Sequence, residues 1–354
     1  MKLLLYFFIL SDFVFAQREA LIIDHSKVNE FNSIDEKVIP AAASLRLMFR
    51  HASVGTTINN GLDCIQGTRS HPKECTEYEP YLYDRRTWIF QQRGNSGWKG
   101  KVDDFVNATE QQLDEFDIFS FKFCYLDGLD EVAEPCGKPY SESITEANWN
   151  YLKDAYETLE KKYPEKIFIW WTIPLTQVGQ YCTEQMNSRI RNYCKENGKI
   201  LFDIADIESW DTTGNHLTNS QGWEIAFNGY CGEKTGPSCH PNWFGSILLA
   251  KAFWYMMVKI VERKITSVCQ IGEEDLNVSP NPASDYIEIS LSSYKMPEYE
   301  PSNIRILNIL GECVYSVNLS GEITQSFSID VSNFPTGLYF IQFKGKFKNF
   351  IVSR

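Results

Sequence analysis

Short apolar runs alternate with amphipathic segments along the first 265 residues of the chain. The apolar residues of the amphipathic segments recur at helical spacing, which predicts helices over residues 55–65, 148–162, 186–196 and 244–263. The short apolar runs predict buried strands over residues 45–49, 116–123, 167–173 and 200–204. Strands that are apolar on both faces and separated by helices form parallel sheets covered by helices on each side. We therefore predict an α/β fold, a three-layer sandwich with a parallel sheet.

The pattern changes near residue 270. Beyond it, short stretches alternate between apolar and polar residues, with proline and glycine between them, and all nine tryptophans precede this point. Such alternation predicts a small antiparallel β-sandwich over residues 276–354, joined by a polar linker at 269–275. Residues 17–268 then form the α/β domain. A carbohydrate-binding β-module is the alternative interpretation of the C-terminal part.

The N-terminus has the layout of a signal peptide. One lysine, an apolar run and a small residue predict cleavage after Ala16, the alternative being a buried N-terminal strand. No later run approaches the roughly 20 apolar residues of a membrane-spanning helix, so we expect no stable membrane span. The net charge of −12 argues against nucleic acid and against docking on anionic lipid.

Ten cysteines are consistent with export, because disulfides persist outside the cytoplasm. Three pairs are close in sequence and could close loops: Cys64 with Cys75, Cys124 with Cys136, and Cys231 with Cys239. Cys182 and Cys194 flank a predicted helix and could pair elsewhere. The chain has no CxxC pair and its histidines are scattered, which disfavours a structural zinc site. We expect no metal and no cofactor.

Polar residues follow the predicted strands at several points. Active sites of parallel sheets lie at the carboxyl ends of the strands, where Ser53, Gly97, Asp127 and His240 are expected to fall. Ser53 follows the first strand and precedes a helix, whose free amides stabilise developing negative charge. His240 precedes the last helix and could act as a general base.

Each of these residues also has a structural explanation. Ser53 could be a helix N-cap, residues 93–105 could be an ordinary glycine-containing loop, and His240 could be a surface or capping histidine. His51 lies too near Ser53 in the chain to be an obvious base, but it could contact substrate.

Three motifs, in this order, resemble those of the SGNH/GDSL hydrolase family. His51-Ala52-Ser53 is similar to its first block, the RGNSG sequence at 93–97 to its second, and the HPNWFG sequence at 240–245 to the second half of its fifth. The sequences IDHSKVNEF at 23–31 and FRHASVG at 49–55 also resemble those of a poorly characterised exported branch of these proteins. The resemblance covers roughly residues 20–265.

The resemblance implies a serine-hydrolase mechanism. Ser53 would attack an ester carbonyl with His240 as base, and the backbone amides of Ser53 and Gly97 would bind the oxyanion. The residues expected to line the pocket are His51, Asn95, Lys122, Tyr125 and Asp127.

Two departures from the family pattern bear on activity. The asparagine that completes the oxyanion hole in the third block is missing, and Lys122 or Tyr125 would have to replace it. Pro237 stands where the acid normally precedes the histidine. Asp203, Asp206 or Glu233 could orient His240, and a Ser–His dyad is also possible.

The C-terminal part resembles the type A sorting domain of the type IX secretion system. The sequences VSPNPA at 278–283, IRILNILG at 304–311, FPTG at 334–337 and LYFI at 338–341 carry the resemblance. It implies a Bacteroidetes-type source, interaction with the type IX secretion machinery, and a secreted or cell-surface location.

Three functions remain open at this stage. The first is a serine esterase acting on small acyl esters, such as carbohydrate O-acetyl groups on a small-molecule or polysaccharide substrate. The second is a catalytically inactive SGNH-like domain that binds glycan or protein at the cell surface. The third is a lipase acting on longer acyl chains.

Overall fold

The computed structural model describes residues 19–67, 82–132, 134–233, 237–269, 276–291, 302–309, 311–319, 326–343 and 346–354. The chain forms two compact units that divide between Lys259 and Ile260. The predicted signal peptide and residues 270–275 of the predicted linker lie outside the described residues. The predicted domain boundaries therefore remain predictions.

The first unit is built on a six-stranded parallel sheet with the strand order β1-β6-β5-β4-β2-β3. Its strands are β1 (Leu21–Ile23), β2 (Leu47–His51), β3 (Trp88–Gln92), β4 (Ile118–Phe121), β5 (Ile167–Trp171) and β6 (Ile200–Phe202). The predicted α/β fold with a parallel sheet is confirmed. The apolar pattern did not predict β1, which is only three residues long, or β3, which carries two glutamines at its end.

The helices that begin in the first unit are α1 (His25–Val28), α2 (Ile39–Ala43), α3 (Val54–Gln66), α4 (Trp98–Gln111), α5 (Glu142–Lys162), α6 (Tyr181–Glu196), α7 (Ile204–Ser209) and α8 (Trp243–Cys269). The expectation of a loop over residues 93–105 was wrong beyond Gly97, because α4 begins at Trp98. Trp98, Val102 and Phe105 recur at helical spacing and are buried, a signal masked by two nearby glycines.

Helices cover both faces of the sheet. On one face, Phe253 of α8 packs with ring centres 6.1 Å from Phe49 of β2 and 5.8 Å from Phe202 of β6. On the other face, Phe105 of α4 and Tyr156 of α5 pack against Phe121 of β4. Successive strand residues point to opposite faces, so both sides of each central strand are apolar.

Helix α8 is both long and apolar. Its segment Trp243–Arg263 is long and apolar enough to cross a membrane, although no apolar stretch of that length was expected. In the most apolar 18-residue stretch of this segment, 72% is buried inside the protein. Burial against the sheet accounts for its composition.

Strand β2 lies where the order of the strands reverses. The chain passes from β2 to β3 on one side and then to β4 on the other side of β2. The helices that follow such strands leave the sheet on opposite faces, which opens a crevice at the carboxyl end. Ser53 follows β2 directly and therefore lies at this crevice.

Two disulfides join described residues. Cys231 is bonded to Cys239, as predicted, whereas Cys136 is bonded to Cys182. The predicted Cys124–Cys136 pair was wrong, since Cys124 is a buried free thiol in the chain turn after β4. Cys194 is also free and buried, and Cys75 lies outside the described residues.

The second unit contains two antiparallel sheets, with strand orders β10-β9-β12-β13 and β11-β8-β7. The strands are β7 (Leu276–Ser279), β8 (Tyr286–Leu291), β9 (Ser302–Asn308), β10 (Cys313–Leu319), β11 (Ser326–Asp330), β12 (Gly337–Phe343) and β13 (Lys346–Val352). Tyr339, Ile341 and Phe343 alternate into the core, where they join Ile289 of the other sheet. The predicted all-β second part is confirmed.

Candidate active site

Ser53 occupies a strained turn between β2 and α3. Its φ of 50° and ψ of −107° make it the sole non-glycine residue with positive φ in the described part of the chain. Such a conformation costs on the order of 1–3 kcal/mol, and it is found where a sharp strand-to-helix turn presents a nucleophile. The Ser53 side chain makes no capping hydrogen bond to α3. An N-cap role therefore does not explain this serine.

The Ser53 hydroxyl instead meets the ring of His240. Ser53 Oγ lies 2.5 Å from His240 Nε2, although 187 positions separate the two residues. His240 Nδ1 contacts the Glu233 carboxylate, whose second oxygen accepts a hydrogen bond from the His240 backbone N–H at 2.8 Å. Serine, imidazole and carboxylate thus form a continuous chain of hydrogen-bonded groups, the arrangement that activates a serine hydroxyl.

A closed loop holds Glu233 and His240 opposite each other. The Cys231–Cys239 disulfide joins its two arms, and the Gly232 N–H donates to the His240 carbonyl at 2.7 Å. The acid lies two residues after one cysteine, and the histidine follows the other directly. The disulfide therefore limits the distance between Glu233 and His240.

Close packing of α3 on α8 brings the two parts of the site together. At Gly61 of α3, an added Cβ would lie 2.1 Å from the carbonyl oxygen of Ser246 in α8. The missing side chain lets the two helices approach each other. Ser53 precedes one helix and His240 precedes the other, so the contact sets their separation. At the start of α8, Asn242 Oδ1 accepts a hydrogen bond from the Gly245 N–H at 3.1 Å, which caps this helix.

Glu233 is ionised at neutral pH. Partial burial raises the pKa of its carboxyl group, but the hydrogen bonds from the backbone and ring of His240 outweigh that effect and leave the pKa below its ordinary value. An ionised carboxylate beside Nδ1 holds the proton on that nitrogen, which leaves Nε2 free to accept the hydroxyl proton of Ser53.

The two other candidate acids lie elsewhere. Asp203 is buried and forms a two-point contact with Arg191. Asp206 accepts a hydrogen bond at 2.5 Å from His25 Nδ1. Among the described residues, Asp24, His25 and Asp206 also form a group with ligand atoms within 4.8 Å of one another, but the hydrogen bond between His25 and Asp206 already satisfies that pair.

The predicted oxyanion loop ends at Gly97, beside a carboxylate of the protein. Glu134 accepts a hydrogen bond from the Trp98 N–H at 2.5 Å, and an added Cβ at Gly97 would lie 2.4 Å from the same carboxylate. The contact is with the movable end of the exposed Glu134 side chain. Gly97 and Asn95 are exposed, and the role of the Gly97 amide in binding an oxyanion stays a prediction.

Most of the expected pocket residues are buried beneath the site. His51 packs between the rings of Phe49 and Phe90, and burial and nearby cations lower its pKa to about 4. Lys122 is fully buried, which lowers its pKa to about 8. These two side chains do not line an open pocket.

Asp127 is buried too, where it accepts a hydrogen bond from Lys101 at 2.5 Å. Tyr125 differs, since its ring meets that of His240 edge-on with centres 5.4 Å apart. Tyr125 is therefore the one member of the expected pocket set that contacts the proposed catalytic residues among the contacts described.

Two residues that support the site were missed. Gln177 donates from its side chain to the carbonyl oxygens of Glu233 and Ser238, at 3.1 and 2.6 Å, and so anchors the loop that carries the acid. Glu134 approaches the Gly97 loop from a segment 37 residues further along the chain. Neither residue lies in a motif. The position of Gln177 after strand β5 is the one signal that could have indicated a role in the site.

Two solved structures are similar to the chain over about two thirds of its length, at low sequence identity. A protein assigned as an acylhydrolase from Bacteroides fragilis is 11% identical, covers 64% of this chain and 96% of its own, and has a TM-score of 0.38. A protein described as a platelet activating factor from Streptococcus pneumonia is 13% identical, covers 65% of this chain and 95% of its own, and has a TM-score of 0.32. These values carry no information on activity or substrate.

The C-terminal part matches a family model, whereas no curated protein matches the sequence. The matched family is described as the secretion system C-terminal sorting domain. Residues 277–353 match it, which indicates type IX secretion and an extracellular or cell-surface location.

Proposed function

We propose that the protein is a secreted serine esterase that hydrolyses small acyl esters through an acyl-enzyme on Ser53. The observation that carries the proposal is the contact chain from Ser53 Oγ through His240 to Glu233. The strained turn at Ser53 supports it, because structures keep such strain where a residue must be held in one position for function.

In the proposed reaction, His240 Nε2 takes the hydroxyl proton as Ser53 Oγ attacks the ester carbonyl. The proton then passes from His240 to the leaving alcohol, and the acyl group stays on Ser53. Water, deprotonated by His240, hydrolyses the acyl-enzyme. Glu233 stabilises the imidazolium that forms in each half of the reaction.

Negative charge on the carbonyl oxygen would be stabilised by backbone amides. Ser53 lies at the N-terminus of α3, a helix of 13 residues whose dipole favours an anion there. The amides of Ser53 and Gly97 are the donors we propose for the oxyanion hole. Their contribution is expected to be about 10²–10³-fold in rate per donor.

Hydrolysis of 4-nitrophenyl acetate by the full chain tests this function. We expect measurable turnover by the wild type and a loss of at least about 10³-fold in Ser53→Ala, because the nucleophile is gone. Ser220→Ala, which removes an exposed serine outside the site, is the control and should keep full activity. Equal rates for wild type and Ser53→Ala would refute the esterase function.

Two further measurements define the proposed chemistry. A serine-reactive sulfonyl fluoride should label the Ser53 peptide, and His240→Ala should abolish the labelling. Esters of acetate, butyrate and octanoate separate an esterase from a lipase, and we expect the acetate ester to give the highest kcat/KM.

A further inference from the structure

A second pocket of the first unit is lined by aromatic side chains. Its volume is about 370 Å³, within the range of small-molecule sites. Tyr140, Tyr181 and Trp223 form its walls, and Asp130, Gly137 and the Cys136–Cys182 disulfide complete the lining. These residues make no contact with Ser53 or His240 among the contacts described, and the proposed mechanism does not use them.

The three rings form a concave surface. The Tyr181 ring centre lies 4.7 Å from that of Tyr140 and 5.3 Å from that of Trp223, with interplanar angles of 65° and 46°. All three side chains are partly exposed, and Tyr140 is 37% exposed. Inclined rings with accessible faces can pack against the C–H face of a pyranose while its hydroxyl groups remain in water.

The surroundings of the pocket hold these rings in place. The disulfide links the segment after β4 to the start of α6. The Asp130 carboxylate accepts hydrogen bonds from the N–H groups of Tyr181 and Cys182, at 3.0 and 2.9 Å. The Tyr140 hydroxyl donates to Glu142 at 2.5 Å. A ligand would therefore meet a surface that is already ordered, which lowers the entropic cost of binding.

The charges around the pocket favour a neutral ligand. Asp130 supplies the single charged side chain of the described lining, and both its oxygens are occupied by the N-terminal amides of α6. No Lys or Arg lines the described part of the pocket, so an anion would lack a partner. A cation would gain little from a carboxylate that is already satisfied. A neutral molecule with an apolar face and many hydroxyl groups fits best.

The pocket lies at the same edge of the sheet as Ser53. Its residues follow the carboxyl ends of β4, β5 and β6, just as Ser53 follows that of β2. The segment between β5 and Tyr181 contains Gln177, which anchors the loop of Glu233 and His240. The pocket and the proposed catalytic residues therefore share one edge of the sheet, so that one polymer chain could contact both.

We propose that this aromatic pocket is a sugar-binding subsite, which holds one pyranose of a glycan whose O-acetyl group lies at Ser53. The placement of the O-acetyl group at Ser53 rests on the proposed esterase function, whereas sugar binding by the pocket does not. It predicts that the pocket affects glycan affinity and leaves turnover of a small ester unchanged.

Binding is tested with the full chain carrying Ser53→Ala, which cannot turn over an ester. Xylohexaose, cellohexaose and mannohexaose are titrated separately by calorimetry. We expect at least one of them to bind, and we expect Trp223→Ala to weaken that binding by at least about tenfold. Trp223→Phe, which keeps a ring, should lose less. Trp210→Ala removes another partly exposed tryptophan, which stacks on His25, and should leave the affinity unchanged.

The proposal is overturned if none of the three sugars binds, or if Trp223→Ala binds as tightly as its parent. Should Trp223→Ala fail to fold, Tyr140→Ala replaces it, because Tyr140 is well exposed and its loss should also weaken binding about tenfold. In the background with Ser53 intact, Trp223→Ala should hydrolyse 4-nitrophenyl acetate within twofold of the wild-type rate. Loss of the esterase function alone would abolish that turnover in the wild type and leave Trp223-dependent sugar binding in place.

Discussion

Ser53, His240 and Glu233 differ in how far the sequence identified them. Ser53 and His240 stand beside recognisable motifs, so both could be named before the structure was known. Glu233 was one of three candidate acids, because Pro237 replaces the acid expected near the histidine. Asp203 and Asp206 have partners of their own, and only Glu233 contacts His240. The choice between them depended on contacts across the fold.

The role of Glu233 can be tested by Glu233→Gln. The amide has nearly the same shape, but it no longer holds the proton on His240 Nδ1. We expect kcat for 4-nitrophenyl acetate to fall by about 10²–10⁴-fold with little change in the midpoint of thermal unfolding. The matched control is Asp206→Asn, which alters a similar carboxylate beside His25 and should leave kcat unchanged. Equal losses in both variants would contradict a specific role for Glu233.

At the scale of elements, the site depends on how α3 and α8 approach each other. Both helices were predicted from the spacing of their apolar residues. The bounds of α3 were found within one residue of the prediction, whereas α8 extends six residues beyond its predicted end. Their contact was not predictable, because one glycine decides it. Gly61 lies on the buried face of α3, where a side chain would meet the backbone of α8. Helical periodicity shows which face is buried, but not how close its partner comes.

The replacement Gly61→Ala tests this contact. In a free helix, alanine is more favourable than glycine by about 1 kcal/mol. Here the new methyl group would lie 2.1 Å from the Ser246 carbonyl oxygen, so we expect destabilisation by about 1–3 kcal/mol. Urea unfolding followed by tryptophan fluorescence measures it. In the control Gly100→Ala, within α4, the new group meets only the movable Ser96 side chain, and stability should stay equal or rise. A stabilised Gly61→Ala would contradict the close approach.

The two described disulfides are expected to have different roles. Cys136–Cys182 spans 46 positions and Cys231–Cys239 spans eight, so chain entropy predicts losses of about 4 and about 2.5 kcal/mol when each is replaced by two alanines. Only the shorter one pins the loop of Glu233 and His240. We expect its removal to lower kcat for 4-nitrophenyl acetate at least tenfold, and removal of the longer one to leave kcat within twofold. The reverse pattern of kcat would contradict this assignment.

At the scale of the whole molecule, the two units differ in composition and in proposed function. The first contains all nine tryptophans and the proposed catalytic residues, and the second matches a sorting domain. Composition and periodicity of the sequence both change near residue 270, and the domain boundaries placed there remain a prediction. Tryptophan fluorescence therefore reports on the unfolding of the first unit alone, which lets its stability be followed in the full chain.

Glu208 is expected to make the stability of the first unit depend on pH. It is 2% exposed, and burial raises the pKa of its carboxyl group to about 8, although the Leu175 N–H and Lys122 oppose the shift. The unfolded chain ionises near pH 4.5, so the folded state keeps a proton that the unfolded state has lost. Stability should fall as the pH rises from about 4.5 to about 8, by on the order of 4 kcal/mol.

Glu208→Gln removes this ionisation and still can accept the hydrogen bond from Leu175. Urea unfolding at pH 5.5, 7 and 9 should therefore show a weaker pH dependence than in the wild type. Glu131→Gln, at an exposed position, should keep the wild-type dependence. If the stability of Glu208→Gln depended on pH as the wild type does, the buried carboxyl group would not be the cause of that dependence.

The sequence by itself determined the class of both units, most helices and strands, and the serine and histidine of the proposed site. These follow from periodicity and from motifs, which are local properties of the chain. The tertiary structure alone decided that Glu233 contacts His240, that Cys136 pairs with Cys182, and that His51 and Lys122 are buried. Such choices depend on distances between segments far apart in sequence, because packing, which no local pattern encodes, determines which side chains meet.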